Sequence, residues 1–167
     1  MEKALQELLD KQAISEQLSN YARAIDRRDY DIGKQVFHED AVVDYGPDVF
    51  QGSGWDFIDW CLKNGENIFA CAHLYCNISI RVRENLARSE AYNYTIARMN
   101  DDAGRLVEMR AHGRQIDEWE KRDGTWRIVK RIYLNDGMES RWFAEQSPFI
   151  VRGRRDRSDH SYIIDRW

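Results

Sequence analysis

The sequence predicts an α+β domain in which N-terminal helices pack on one face of a curved, mostly antiparallel sheet. Three observations support this fold class: helical spacing of apolar residues near the N-terminus, alternation of apolar and polar residues in the second half, and an Asp-Gly hairpin signal before the last strand. A chain of 167 residues is long enough to bury one hydrophobic core. We expect one domain at residues 1–135, followed by an extension at 136–167 that packs on this domain or on a neighbouring subunit.

Three helices are predicted before the sheet. Apolar residues three and four apart indicate an amphipathic helix over residues 3–26, with Leu5, Leu8, Leu9, Ile14, Leu18, Ala22 and Ile25 on its buried stripe. Two shorter helices have candidate capping residues, Asp29 or Asp31 for the second and Ser53 or Asp56 for the third. The second extends to Phe37, residues 38–40 break it, and a short strand follows at 41–45.

Four long strands are predicted in the second half. Alternation in the first of them, residues 73–82, assigns its side chains to two faces: Leu74, Cys76, Ile78, Ile80 and Val82 to one, and His73, Tyr75, Asn77, Ser79 and Arg81 to the other. Three more strands follow at residues 87–99, 105–120 and 125–134. The Asp123-Gly124 pair predicts a tight hairpin before the last strand.

The composition of the chain limits the classes of partner that we expect for it. The net charge of −4 argues against a nucleic-acid-binding domain, and the chain lacks the run of ~18 apolar residues that a membrane helix needs. The first residues show no apolar signal core and there are only three cysteines, so we expect a cytoplasmic protein with free thiols. An aromatic content of 12% suits either a packed core or a pocket for an aromatic or polycyclic small molecule.

Motifs for metal, nucleotide or acyl chemistry are lacking. The four histidines are far apart in sequence, and no helical His-x3-His zinc pair, phosphate-binding glycine loop or Gly-x-Ser-x-Gly elbow occurs. We therefore predict no metal and no cofactor. Acid–base chemistry by side chains is the remaining type of catalysis.

Three residues are candidates for that chemistry. Asp26 lies four positions after Ala22, where the apolar stripe should continue, and a buried carboxylate needs a partner or a task. It could equally cap the end of the helix beside Arg27 or Arg28. His73 could be a general base or a core histidine, and Arg131 could bind an oxyanion or be an exposed strand cation.

Two motifs resemble the SnoaL-like branch of the nuclear-transport-factor-2-like superfamily. One runs through Tyr21-x4-Asp26-Arg-x-Asp29 and Phe37-His38-x-Asp40-Ala41-Val42. The other is Arg114-Gln-Ile-Asp117-Glu-Trp119-Glu-x-Arg122-Asp-Gly124-x-Trp126-Arg-Ile128-x-x-Arg131. The resemblance covers about residues 5–135 and implies a cone, in which a strongly curved sheet and N-terminal helices enclose a pocket.

Within that branch the chain is most similar to the cofactor-free lyases, namely scytalone dehydratase, bile-acid 7α-dehydratase and lindane dehydrochlorinase. This resemblance implies four catalytic residues, Asp26, His73, Arg131 and Tyr21. We expect substrate binding by Tyr45, Tyr75, Asn77, His112 and Trp60. The second histidine and the tyrosine pair of scytalone dehydratase are not clearly reproduced, and Tyr30, Tyr45 and His112 are the candidates for them.

The expected function is a cofactor-independent lyase that eliminates water, or another small fragment such as an aldehyde, from a hydroxylated aromatic or polycyclic molecule in aromatic compound catabolism. Two alternatives share the fold: an isomerase of the ketosteroid type, and a non-catalytic subunit of a ring-hydroxylating oxygenase. An open sheet needs its outer face covered, so we also expect a homo-oligomer, either a dimer or a trimer.

Overall fold

The predicted α+β class is confirmed in a computed structural model that describes residues 1–142 and 152–165. The helices are α1 (Glu2–Arg27), α2 (Tyr30–Gln35) and α3 (Gly54–Asn64), and the strands are β1 (Phe37–Asp44), β2 (Gln51–Ser53), β3 (Ile68–Arg83), β4 (Leu86–Asn100), β5 (Leu106–Arg122) and β6 (Thr125–Trp142). A 3₁₀ helix at His160–Asp165 lies near the C-terminus.

The sheet has six strands in the order β2-β1-β6-β5-β4-β3. Strands β3 to β6 form the predicted antiparallel meander, whereas β1 pairs with β6 in parallel. The turn between β5 and β6 has positive φ at both Asp123 (50°) and Gly124 (79°), as a two-residue hairpin of the primed type requires. The sheet is curved and unclosed, and α1 packs against β3.

Capping residues set the ends of the helices. Arg28 adopts the left-handed conformation that ends α1, and its N–H donates to the Ala24 and Ile25 carbonyls. The Asp29 carboxylate accepts from the Ile32 N–H (3.3 Å) and caps α2. Ser53 caps α3 in the same way. Of the alternatives left open by the sequence, Asp29 and Ser53 are therefore the caps.

The buried stripe of α1 is shorter than predicted. Leu5, Leu8 and Leu9 are 55%, 63% and 53% exposed, and the first buried residue of the helix is Asp10. The carboxylate of Asp10 accepts hydrogen bonds from Lys121 Nζ and Trp126 Nε1, both at 2.8 Å, which fix the middle of α1 to the sheet. The helical spacing correctly predicted the helix, but wrongly predicted burial of its first turns.

A β-bulge in β3 overturns the predicted division of that strand into two faces. Its register with β4 shifts between Cys76 and Ser79, where Asn77 has a φ of 48°. Leu74 and Cys76 are therefore exposed, whereas Ile80 is buried with the core. A strand with one extra residue changes faces along its length, so the predicted single alternation from residue 73 to residue 82 is wrong.

Three strands differ from their predicted bounds by four residues or more. β3, predicted at 73–82, begins at Ile68. β1 begins at Phe37, so residues 38–40, predicted to break the second helix, belong to a strand. β6 continues past residue 135 to Trp142 and pairs with β5 along its whole length. Among the described residues, no helix is both long and apolar enough to span a membrane.

A cluster of charges on β4, β5 and β6 joins these three strands. Glu108 is 3% exposed and accepts hydrogen bonds from Arg98, Arg110 and Arg141 at 2.8–2.9 Å. Bonding to these arginines, Arg141 foremost, lowers the pKa of Glu108 to about 2 although burial opposes this shift. The cluster therefore requires an ionised Glu108.

We expect Glu108→Gln to lower the free energy of unfolding by about 2 kcal/mol at pH 7, because three guanidinium groups lose their shared carboxylate. The folded-state pKa lies below the unfolded value of ~4.3, so the contribution is present above that pH and is lost as the pH falls through about 2. The difference in unfolding free energy between the wild type and Glu108→Gln should therefore become smaller as the pH is lowered. Urea unfolding at a series of pH values measures both effects.

Glu118→Gln is the matched control. Glu118 lies on the same strand, but its ion pair with Arg88 is long (3.8 Å) and both side chains are exposed. Its loss should change stability by less than ~0.5 kcal/mol. Equal losses in the two variants, or a Glu108→Gln deficit that does not change with pH, would contradict a stabilising role of the cluster.

Candidate active site

The carboxylate of Asp26 joins the end of α1 to β3. Its Oδ1 lies 2.7 Å from Nδ1 of His73, and its Oδ2 accepts the backbone N–H of the same residue at 3.0 Å. Each of the two side chains is 13% exposed. Both oxygens are thus engaged by one residue, which fixes the carboxylate and the imidazole relative to each other.

This contact determines the tautomer of the histidine. An ionised carboxylate can only accept hydrogen bonds, so Nδ1 of His73 carries the hydrogen. In the neutral ring, Nε2 then holds the lone pair and can accept a proton. Asp26 can stabilise the imidazolium that forms. The pair therefore has the arrangement of a general base and its orienting carboxylate.

Cys71 adjoins this pair, with Sγ 3.8 Å from Nδ1 of His73. Burial, and then the charge of Asp26, raise the pKa of the Cys71 thiol to about 12, so it stays protonated. Potential metal-ligand atoms of Asp26, Cys71 and His73 lie within 4.8 Å of one another. The 2.7 Å separation of Asp26 and His73 fits a shared hydrogen, since two such atoms on one zinc ion would be ~3.3 Å apart.

Tyr21 lies beside the pair. It is 3% exposed, and its ring meets the rings of His73 (6.3 Å between centroids) and Tyr75 (6.4 Å) edge to face. Burial raises the pKa of Tyr21 well above its usual value. Its hydroxyl is therefore a proton donor and not a phenolate at any physiological pH.

A cation is completely buried on the other side of Tyr21. Arg131 on β6 is 0% exposed, and its Nε and Nη2 each donate to one oxygen of Asp117 on β5 at 2.8 Å. Its Cζ lies 4.3 Å from the centroid of the Tyr21 ring. Burial disfavours the charge, but Asp117 outweighs it and the pKa of Arg131 is raised well above its usual value.

One nitrogen of this guanidinium is left unpaired by the part of the chain that the structure describes. Nη1 of Arg131 is buried and makes no hydrogen bond to the described residues. An unsatisfied buried donor on a charged group costs several kcal/mol unless a ligand or water completes it. Arg131 therefore offers a fixed, charged hydrogen-bond donor inside the fold.

A chain of hydrogen bonds crosses the interior next to Arg131. The hydroxyl of Tyr75 donates to Oε1 of Gln115, and Nε2 of Gln115 donates to the hydroxyl of Tyr45 at 3.1 Å. Burial raises the pKa of both tyrosines. The interior thus holds neutral hydroxyl groups around one cation.

Aromatic rings pack against one another on the side of the interior formed by α3. Tyr45 stacks on Tyr133 (4.8 Å between centroids) and packs on Phe57, which in turn stacks on Trp60. Tyr45, Tyr133 and Trp60 remain partly exposed. Partly exposed aromatic side chains of this kind occur both in packed cores and in pockets for planar, apolar ligands.

The structure brings seven of the nine predicted site residues into this region and separates the other two. The seven are Asp26, His73, Arg131, Tyr21, Tyr45, Tyr75 and Trp60. Asn77 is exposed at the bulge of β3. His112 is exposed and stacks on Tyr94, on the face of β5 opposite to Gln115 and Asp117.

A separate groove of about 350 Å³ contains no group suited to acid–base chemistry near neutral pH. Its described lining is formed by three arginines, two glutamates and apolar residues, among them Arg83, Arg88, Glu118 and Trp119. The described residues that line this groove include no histidine, cysteine or tyrosine. The pair on α1 and β3 is therefore the better candidate.

Sequence reasoning missed Asp117, Gln115 and Cys71. The sequence does contain a signal for Gln115 and Asp117. Both lie an even number of residues from Trp119, so all three side chains point to the inward face of β5. Their partners could not be read from that pattern, because the pairing of Asp117 with Arg131 depends on the register of β5 and β6. Cys71 carries no distinguishing signal in the sequence.

Comparison with known proteins gives the family and the fold. A family model described as a SnoaL-like domain matches residues 6–132. A search of curated proteins finds no match.

Solved structures with the same fold include a scytalone dehydratase-like protein from Novosphingobium aromaticivorans (22% identity, 90% of this chain and 95% of that chain, TM-score 0.69). A hexachlorocyclohexane dehydrochlorinase from Novosphingobium barchaimii is 16% identical over 87% and 99% of the two chains, with a TM-score of 0.72. An aromatic-ring-hydroxylase-like protein from Novosphingobium aromaticivorans is 24% identical over 81% and 94%, with a TM-score of 0.67. At these identities the likeness concerns the fold.

We expect Asp117→Ala to lower the free energy of unfolding by about 3–5 kcal/mol, because it leaves the Arg131 guanidinium buried and uncompensated. Urea unfolding measures the loss, with exposed Asp48→Ala as the control. The double variant Arg131→Met/Asp117→Leu should be more stable than Asp117→Ala, since it removes both charges. A loss below ~1 kcal/mol for Asp117→Ala would show that the pair is not essential to the core.

Proposed function

The chain belongs to the SnoaL-like domain family, and we propose that it is a cofactor-independent lyase using Asp26 and His73. The observation that carries this proposal is the double contact of the Asp26 carboxylate with one histidine. A strand histidine held in one tautomer beside a buried tyrosine and a buried cation is suited to proton transfer. The family includes non-catalytic members, so enzyme activity is part of the proposal.

The proposed reaction begins at Nε2 of His73. This nitrogen takes a proton from a carbon or hydroxyl of the substrate, while Asp26 stabilises the imidazolium. In a dehydration, the electron pair of the broken C–H bond forms the new double bond and expels hydroxide, which leaves as water after protonation. For loss of an aldehyde, the proton comes from a hydroxyl, whose oxygen forms the aldehyde C=O as the adjacent C–C bond breaks. The electron pair of that bond passes into the conjugated remainder of the substrate, which the His73 imidazolium then protonates.

Two buried groups are assigned to the charge that develops. Nη1 of Arg131 donates to a substrate oxygen that becomes negative, and the Tyr21 hydroxyl donates to the same oxygen or protonates the leaving group. A positioned base contributes ~10²–10⁴-fold and one preorganised donor ~10²–10³-fold. Rate enhancements of these sizes are sufficient for substrates that can delocalise the developing negative charge, such as phenols and conjugated ketones.

The aromatic and hydroxyl side chains near the pair support the proposed class of substrate. Stacked Tyr45 and Tyr133 with Trp60 favour a planar ring, and the neutral hydroxyls around Arg131 favour substrate hydroxyl or carbonyl groups. We therefore propose a hydroxylated aromatic or polycyclic substrate in the breakdown of aromatic compounds. A screen of hydroxylated dihydro-aromatic and polycyclic alcohols, read by the absorbance gained on conjugation and by released aldehyde, tests this class.

We expect Asp26→Asn and His73→Ala each to reduce turnover by at least ~10³-fold while leaving the unfolding transition in place, because each removes half of the proton-transfer pair. His112→Ala and Asp59→Asn are matched controls at exposed positions. Turnover at the wild-type rate in either pair variant would refute the proposed mechanism. Loss in Asp26→Asn with indifference to His73→Ala would instead support an isomerase in which the carboxylate carries the proton.

Tyr21→Phe should lower kcat by about 10²-fold with a small change in KM, since the hydroxyl acts mainly on developing charge. The pKa of Tyr21 is raised, so the hydroxyl does not titrate near neutral pH, and the pH profile of kcat should keep its shape. Tyr92→Phe, on the exposed face of β4, serves as the control. A change in the acidic limb of the profile would show that Tyr21 acts on His73 instead.

A further inference from the structure

We propose that Arg155 is a positioning residue that holds Asp26 and His73 in register, which rests on the proposed function of that pair. Arg155 lies in the C-terminal segment 152–165, beyond the residues 6–132 that match the family. Its guanidinium spans the end of α1, the turn after α3 and the start of β3. These are the segments that carry or precede the two members of the pair.

All described hydrogen-bond partners of Arg155 are backbone carbonyl oxygens. Nη2 donates to Ile25 (2.8 Å), Nε to Asp26 (3.1 Å), and Nη1 to both Gly65 (2.9 Å) and Ile68 (2.7 Å). The first two carbonyls belong to the last turn of α1, where the helix dipole is negative, and the Ile25 carbonyl also accepts the Arg28 N–H at 3.4 Å. A half-buried cation thus satisfies the helix end and joins it to β3.

The position of these carbonyls gives Arg155 its effect on the pair. Asp26 supplies one of the bonded carbonyls itself, and Ile68 begins the strand that reaches His73. Burial lowers the pKa of Arg155, whereas the neighbouring Cys71 and Asp26 oppose this shift. Removal of the guanidinium would free α1 and β3 to shift relative to each other, and displacements of ~1 Å can cost ~10²-fold in rate.

The C-terminal segment is held at other points as well. Arg157 bonds to Asp29 (3.0 Å) and Asp31 (2.7 Å), and the Tyr162 hydroxyl donates to Asp29 at 2.7 Å. Arg23 pairs with Asp165 at 2.7 Å. Substitution of Arg155 should therefore leave the C-terminal segment bound. Any effect of the substitution then reports on the loss of the four carbonyl contacts alone.

The test uses full-length Arg155→Gly and Arg155→Lys, with Arg157→Gly as the matched control. The ¹⁵N spectrum of labelled histidine, assigned with His73→Ala, reports the Nδ1–H of His73 that Asp26 accepts. We expect this signal to be lost or shifted in both Arg155 variants and to return in Arg155→Gly on addition of millimolar guanidinium chloride, but not of sodium chloride. Arg157→Gly should keep the signal.

Turnover of a substrate found in the screen gives the second readout. We expect kcat of Arg155→Gly to fall about 10²-fold with KM changed less than ~3-fold, and guanidinium to restore at least a tenth of the rate. If Arg155→Gly does not fold, the same measurements on Arg155→Lys decide. An unchanged His73 signal and kcat, or losses without guanidinium rescue in Arg155→Gly, would overturn the positioning role.

These outcomes are separate from a failure of the proposed function. If Asp26→Asn and His73→Ala retain turnover while the His73 signal still depends on Arg155, the mechanism is wrong and the positioning role stands. If both pair variants are inactive while Arg155→Gly has a normal spectrum and rate, the mechanism stands and the positioning role is wrong.

Discussion

The double hydrogen bond from His73 to Asp26 is the contact around which the interior is arranged. It requires α1 to end just past Asp26, which the left-handed Arg28 and the Asp29 cap ensure. It also requires β3 to begin with its odd-numbered residues facing inward, as Cys71, His73 and Tyr75 do before the bulge. A helix terminus and a strand far apart in sequence are thus joined by two hydrogen bonds to one carboxylate.

The buried Arg131–Asp117 pair gives the interior its electrostatic character. Ion pairs of this kind contribute little net stability, because desolvation offsets the attraction between the charges. Here two of the guanidinium nitrogens bond to Asp117 and Nη1 has no hydrogen-bond partner among the described residues, while the hydroxyls of Tyr21, Tyr45 and Tyr75 stay neutral. The pair therefore places one charged donor among neutral hydroxyl groups.

Local signals in the sequence predicted the helices, the meander and the Asp123–Gly124 turn, because each depends on residues close in sequence. The spacing that places Asp26 on the buried stripe of α1 is local as well. The faces of β3 were not predictable, since the bulge at Asn77 changes which side chains point inward. Two further features could not be predicted, because they depend on what the tertiary structure places opposite the residues concerned. They are the exposure of Leu5, Leu8 and Leu9, and the pairing of Arg131 with Asp117.

Arg155 illustrates why the family match alone does not define the site. The matched residues include Asp26, His73 and Arg131, but the carbonyls at the end of α1 are satisfied by a guanidinium from outside them. Water can also satisfy the carbonyls of a helix end, but a side chain anchored elsewhere in the fold additionally joins that end to β3. The contacts at the end of α1 that carries Asp26 therefore extend beyond the residues that match the family.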